Sequence, residues 1–152
     1  MSIKKINDYL GIPVITLLLL SLLGVPRVIT HDLSMVAEGS LINSILVFAP
    51  IIIWIVYIVW KGVNKPFLSL LLIGVFYGIF LAIGHQILWS FSFDAPIQFG
   101  GNLSDLPQTT VNVIARIFAF FSSLITGTVV GVFTGLVGSI VNFIKESIVS
   151  NK

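Results

Sequence analysis

The stretch TGTVVGVFTGLVGS, residues 126–139, is the most regular feature of the chain. Gly127, Gly131 and Gly135 recur every four residues in an apolar run, and Gly138 falls on the same helical face. Glycines at this spacing let two helix backbones approach closely in lipid, where packing and interhelical hydrogen bonds hold helices together. The spacing therefore predicts a glycine zipper. Its partner is either another span of this chain or a second copy of it.

The 152-residue chain around this stretch is strongly apolar. Hydrophobic residues make up 57% and charged residues only 9%, and the mean hydropathy is +1.10, whereas a soluble domain carries roughly 25% charged residues. This composition predicts an integral membrane protein with a single domain. The chain has no cysteine, which excludes disulfides, thiol chemistry and thiolate metal sites.

Four apolar stretches reach the length of about 20 residues that a membrane-spanning helix needs. They are residues 9–25, 41–60, 67–89 and 119–144, and together they predict an all-α membrane protein built as a four-helix bundle. The last apolar region begins earlier, at Val111, so it is either a strongly tilted helix or an interfacial turn followed by a span. We favour the second, with a surface-lying lead-in before the span. The first stretch follows a basic start as a secretory signal does, but no small-residue cleavage site follows it, so we expect it to be retained.

The basic residues predict that both termini are cytoplasmic. Six lie at the two termini and in the short second connection: Lys4, Lys5, Lys61, Lys65, Lys145 and Lys152. The other two connections contain only Arg27 and Arg116, and such a bias marks the cytoplasmic side of a membrane. We expect Trp54, Tyr57 and Trp60 to form an aromatic belt at the inner end of the second span. The compactness of the chain favours a bacterial plasma membrane.

A histidine lies inside the third span, in the stretch FLAIGHQILW, residues 80–89. The helical repeat places four residues of this span on one face: Gly74, Gly78, Ala82 and His85. Because small residues mark helix contacts in membranes, His85 is predicted to face the bundle near its outer end. Asn43 and Ser44, at a similar depth, are its expected hydrogen-bond partners.

The other candidate functional side chains are polar residues near the outer face. With His85 they are Asn43, Arg116, His31 and Asp32. We expect His31 and Asp32 to lie in the first outer connection, and Arg116 to pair with Asp94 or Asp105. None of the predicted spans contains an acid, which disfavours proton- or sodium-coupled transport.

Three functions are compatible with these features, and an enzyme is not the preferred one. The first is a structural or accessory bundle that self-associates or joins a larger membrane complex through its glycine faces. The second is a small oligomeric channel or transporter with the Gly127–Gly138 face and His85 near the pathway. The third is an outer-face enzyme acting on a lipid.

No phosphate loop, metalloprotease helix or nucleophile elbow occurs in the sequence, so we predict no catalytic residue, cofactor or metal. The expected partners are the lipid bilayer and a second copy or another membrane protein, and no nucleic acid is expected.

Overall fold

The computed structural model describes residues 2–93 and 95–151, and this part of the chain contains helices and no strand. Six α-helices follow one another: α1 Ile3–Leu10, α2 Val14–Ser21, α3 Val25–Asp32, α4 Leu41–Lys61, α5 Pro66–Leu88 and α6 Gln108–Ser150. Four helical segments in the described residues are long and apolar enough to cross a membrane: Val14–Asp32, Leu41–Lys61, Pro66–Phe91 and Gln108–Ser150. The predicted all-helical class and the four apolar helices are confirmed.

The first span differs from the predicted residues 9–25 at both ends. Helix α1 ends at Leu10 because Gly11 adopts a left-handed backbone with φ of 76° and donates its N–H to the carbonyl of Asn7. The side-chain oxygen of Asn7 then accepts the N–H of Val14 at 2.9 Å, which satisfies a free donor at the start of α2. The span therefore begins at Val14.

The same span continues beyond its predicted end. A 3₁₀ turn, Leu22–Gly24, joins α2 to α3, and Pro26 is accommodated because it falls in the first turn of α3, where no intrahelical N–H bond is needed. Arg27, His31 and Asp32 consequently lie on a helix and not in the outer connection that the sequence predicted.

Helix α4 contributes a buried tryptophan to the core, where a belt residue was predicted. The Trp54 side chain is 1% exposed, its ring packs against Tyr77 at 5.8 Å between centroids, and its indole N–H donates to the carbonyl of Leu20 at 2.7 Å. Trp60 on the same helix is 70% exposed. The expectation that Trp54 belongs to an aromatic belt is therefore wrong.

Helices α5 and α6 pack closely along their glycine faces. A Cβ atom added to Gly74 would overlap the backbone of Gly127 and Gly131, and one added to Gly127 would overlap the backbone of Gly78. Further along, Gly135 lies against Phe67 and Gly138 against Leu70. The partner of the glycine-rich face of α6, which the sequence left open, is thus α5 of the same chain.

Helix α6 is one continuous element of 43 residues. No turn separates a surface-lying lead-in from the predicted span 119–144, so that expectation is wrong. At about 1.5 Å per residue the helix is about 64 Å long, roughly twice the thickness of a hydrocarbon layer of about 30 Å. The helix is therefore longer than one crossing of the hydrocarbon layer requires.

Two ends of the bundle can be distinguished by their contacts. At the termini end, Asn64 donates its backbone N–H to the Leu10 carbonyl at 3.0 Å, and Lys145 donates to the Val59 carbonyl at 2.7 Å. These bonds bring α1, the connection between α4 and α5, and the last part of α6 together. The opposite end, here called the histidine end, contains Asp32 and His85.

Candidate functional site

An acid and an imidazole from different helices meet at the histidine end. Oδ2 of Asp32, the last residue of α3, lies 2.6 Å from Nδ1 of His85 on α5. The Asp32 side chain is 2% exposed and that of His85 is 26% exposed. A buried carboxylate needs such partners, because removing it from water without hydrogen bonds is expensive.

A second imidazole engages the other oxygen of the same carboxylate. Nδ1 of His31 lies 3.1 Å from Oδ1 of Asp32, and Nε2 of His31 lies 3.3 Å from an oxygen of the exposed Glu38. Asp32 is therefore held between two histidines. When its carboxylate is ionised it accepts the Nδ1–H of His85, and the Nε2 atom of that neutral ring then carries a free lone pair.

A close approach of α3 and α5 positions this pair. One turn before Asp32, the side chain of Val28 fills the space that a Cβ atom on Gly84 would occupy, 2.7 Å away. Because Gly84 immediately precedes His85, the two helices are near enough for the short aspartate side chain to reach the ring. The packing of Val28 against Gly84 therefore brings Asp32 within reach of His85.

The pair borders a cavity of about 280 Å³ between α3, α5, the segment after α5, and α6. Its walls are His31, Asp32, Leu81, His85, Trp89, Ser92, Phe93, Ala119, Ser122, Ser123 and Thr126. The lining combines apolar and aromatic surface with four hydroxyl groups and the acid–imidazole pair. This composition, mostly apolar with a few placed polar groups, is common among ligand pockets.

The chain was compared with family models, with characterised proteins and with solved structures, and nothing matches.

The acid in this site corrects an argument made from the sequence. Asp32 is the last residue of a segment apolar enough to span a membrane, so the statement that no span contains an acid is wrong. Asp32 nevertheless lies at the end of that segment and not in its middle, where coupled carriers usually hold the driving ion.

Asn43 and Ser44, the expected partners of His85, belong to the start of α4 instead. The backbone N–H of Asn43 donates to Oγ of Ser40 at 3.2 Å, and the hydroxyl of Ser44 donates to the Ser40 carbonyl at 3.2 Å. These bonds cap the helix. The group that holds His85 is Asp32, and Asn43 does not border the cavity.

Arg116 joins α6 to α5 next to the cavity. It donates to the backbone carbonyl of Gln86 at 3.4 Å and to the side-chain oxygen of Gln86 at 3.3 Å, and its guanidinium carbon lies 4.9 Å from the centre of the Trp89 ring. The predicted pairing with Asp105 is not formed, since Asp105 accepts from the hydroxyl of Ser104. Asp94, the other predicted partner, lies outside the described residues.

Within residues 2–93 and 95–151, no group of three or more acids, histidines or cysteines is arranged to hold a metal ion. The Nδ1 atoms of His31 and His85 are directed at the two oxygens of Asp32. The site is therefore a hydrogen-bonded acid–imidazole cluster.

Sequence reasoning recognised His85, His31 and Asp32 but not that they meet. The signal that could have joined them is the spacing of Val28 and Asp32 by one helical turn, opposite adjacent Gly84 and His85 on α5. Ser122, Ser123 and Thr126 were not among the candidate site residues identified from the sequence, although they lie on the cavity wall.

Proposed function

We propose that the protein is a small multi-pass membrane protein that binds a small polar ligand group in the cavity at its histidine end. The Nε2 atom of His85 is the hydrogen-bond acceptor for that group, and Asp32 fixes the ring. The observation that carries this proposal is the 2.6 Å contact between Asp32 and His85 in the wall of a 280 Å³ cavity.

The burial of the two partners supports binding over a purely structural pair. Asp32 is sealed from solvent, but His85 keeps about a quarter of its side chain exposed and borders the cavity. A carboxylate behind an imidazole sets its tautomer and orientation, as in metal and catalytic sites, where the far ring nitrogen does the work. Here Asp32 likewise contacts Nδ1 of His85, and Nε2 is the far ring nitrogen.

The depth of the site also supports a ligand. Asp32 lies about 27 Å along the first span from Val14, and His85 lies about 28 Å along α5 from Pro66. Both values are close to the hydrocarbon thickness of about 30 Å. Asp32 and His85 are thus expected at the boundary between hydrocarbon and headgroups. Lipid headgroups and water-soluble molecules can both reach this depth.

We propose binding without chemical conversion of the ligand. The hydroxyls of Ser122 and Thr126 stand in the middle of the continuous helix α6, where backbone N–H groups are bonded within the helix. Such N–H groups are not available to stabilise an oxyanion, which acyl transfer by a serine requires.

Single cysteines test whether the cavity admits small polar molecules, because the native chain has none. Ser122→Cys and Thr126→Cys should react with a small water-soluble thiosulfonate reagent in detergent and in vesicles. Thr128→Cys is the matched control, since Thr128 is exposed on α6 but does not border the cavity. Reaction at residues 122 and 126 no faster than at residue 128 would refute an accessible site.

A structural or accessory role is a second candidate, supported by the face of α6 opposite to α5. Large apolar residues are exposed along this face: Phe118, Ile125, Phe133 and Phe143. Because the glycine face is occupied within the chain, self-association or docking to a membrane partner would use this opposite face. The mass of the detergent-solubilised protein tests self-association: a monomer would remove it, and an oligomer split by Ile125→Asn would support it.

The close packing of α5 and α6 argues against the channel alternative. A route along the Gly127–Gly138 face would have to open the backbone contact between α5 and α6. Thr134 on this face is 3% exposed, and Thr134→Cys should resist the same thiol reagent in the folded protein. Labelling there as fast as in the cavity would restore the channel.

We further propose that the protein resides in a bacterial plasma membrane with both termini in the cytoplasm. The compactness of the chain supports the bacterial membrane. The distribution of basic residues supports the cytoplasmic termini, and more strongly so because Arg27 lies on a helix. The six lysines lie on the two terminal segments and around the connection between α4 and α5, and Arg116 is the basic residue of the opposite end. A bias of this kind orients membrane proteins with the lysine-rich side inward.

A further inference from the structure

We propose that the ligand group bound in the cavity is a protonated amine, an inference that rests on the proposed function. Among the described residues, the titratable side chains in the cavity wall are His31, Asp32 and His85. Asp32 is the one acid among them, and the Nδ1 atoms of both imidazoles are directed at its oxygens. The site therefore favours a cation over an anion.

The burial of Asp32 strengthens the preference of the site for a cation. The Asp32 carboxylate is 2% exposed, and charges act on one another far more strongly in a site of low dielectric constant than in water. A carboxylate or phosphate ligand would meet a like charge there. An ammonium group would instead be attracted by the negative charge of Asp32.

The other polar groups of the cavity wall also suit a hydrogen-bond donor. The hydroxyl of Ser92 donates to the Leu88 carbonyl at 3.0 Å, and that of Ser123 donates to the Ala119 carbonyl at 2.7 Å. Their oxygens keep free lone pairs for a ligand. Ser92, Ser123 and His85 border the same cavity, so its wall offers acceptors to an ammonium group.

Aromatic side chains complete the match to a cation. Trp89 and Phe93 border the cavity and pack edge to face with centroids 5.1 Å apart. The Trp89 ring is already in contact with one cation, the guanidinium of Arg116, and the faces of such rings attract ammonium groups as well.

The volume and the depth of the cavity indicate which groups the ligand carries besides its amine. A volume of about 280 Å³ holds a head group and a few carbons, while Leu81 and Ala119 offer an apolar wall. The ligand is accordingly an amphiphilic primary amine. It is either an ethanolamine lipid of the membrane or a free amine that enters from the aqueous side, and the chemistry recognised is the same.

The test uses three amphiphiles that share a chain and differ in charge: dodecylamine, dodecanol and dodecanoate. Each is titrated into the full-length protein in maltoside micelles at about pH 8, where an imidazole is ordinarily neutral and an alkylamine is protonated. Tryptophan fluorescence is the readout, and Trp89→Phe identifies the part of the signal that comes from the cavity.

We expect saturable binding of dodecylamine at least about tenfold tighter than that of dodecanoate. Asp32→Asn keeps the shape of the side chain but removes its charge, so it should lower amine affinity about tenfold and abolish the discrimination between the two ligands. Asp105→Asn, at an exposed acid outside the cavity, is the matched control and should bind as the unmodified protein does. Unfolding curves for each variant show whether it is folded.

The outcomes separate this inference from the proposed function. If dodecanol or dodecanoate binds at least as tightly as the amine and the signal depends on His85, the amine inference is overturned and the ligand site remains. If none of the three changes the Trp89 signal, both fall. If dodecylamine binds, displacement by phosphatidylethanolamine but not by phosphatidylglycerol in nanodiscs identifies a lipid headgroup, whereas displacement by soluble ethanolamine identifies a free amine. Either source supports the inference.

Discussion

Asp32 and His85 are 53 residues apart in the chain, yet Oδ2 of the acid and Nδ1 of the ring are only 2.6 Å apart. Their contact joins the end of the first span to the third span at the histidine end. On the other side of the carboxylate, His31 adds a contact within α3 at 3.1 Å. One buried acid therefore both fixes two helices and orients two imidazoles.

Asp32→Ala should lower the free energy of unfolding by about 2 kcal/mol, because hydrogen bonds to a charged group are worth about 1.5–3 kcal/mol and two imidazole N–H groups lose their acceptor. Chemical denaturation in mixed micelles, followed by circular dichroism, measures the change. Asp105→Ala, at an exposed residue, is the control and should change stability by less than about 0.5 kcal/mol. Equal effects of the two substitutions would show that the cluster is not a structural element.

The sequence predicted the class of this fold well because the signals for it are local. The apolar runs of α4 and α5 coincide with their helices almost residue for residue, since about 20 apolar residues in a row have few other stable arrangements in a membrane. Hydropathy could not place the first span, because its bounds depend on single residues. The left-handed Gly11 ends α1, and Pro26 is tolerated in the first turn of α3.

The candidate site was less predictable because it depends on long-range geometry. His85 was expected to face the bundle, and its ring does meet another helix, but its partner comes from a segment that the sequence assigned to a loop. Once α3 is extended by two turns, Asp32 reaches the depth of His85. An error of a few residues in one helix end was therefore enough to hide the pair.

Gly127→Ala should be strongly destabilising because its new methyl group would meet the backbone of Gly78, which cannot rotate away. Overpacking of this kind typically costs about 1–3 kcal/mol. The control is Gly100→Ala, since nothing lies within 4 Å of a Cβ at that position and its φ is not in the left-handed region. Unfolding in micelles compares the two. The contact between α5 and α6 would be in doubt if both variants were equally stable.

Trp54→Phe should reduce stability by about 1 kcal/mol or more, since it removes the hydrogen bond from the indole N–H to the Leu20 carbonyl while keeping an aromatic ring in the core. The Leu20 carbonyl keeps another donor, the N–H of Leu22, so the expected loss is that of one hydrogen bond. Trp60→Phe serves for comparison because Trp60 is largely exposed. A loss of stability for Trp60→Phe as large as for Trp54→Phe would contradict the buried role of Trp54.

The orientation of the chain is testable with single cysteines and a membrane-impermeant maleimide. Ser104→Cys, in the connection between α5 and α6, should be labelled in intact bacterial cells that express the protein. Ser2→Cys and Ser147→Cys should react only after the cells are permeabilised, because the lysine-rich segments beside them are held on the cytoplasmic side. Ser2 precedes α1 and Ser147 lies near the end of α6, so the two positions report the two termini separately. Labelling of either terminal position in intact cells would refute the cytoplasmic placement of that terminus. The reversed pattern at all three positions would also move the ligand cavity to the cytoplasmic face, where the amines available to it would be those of the cell interior.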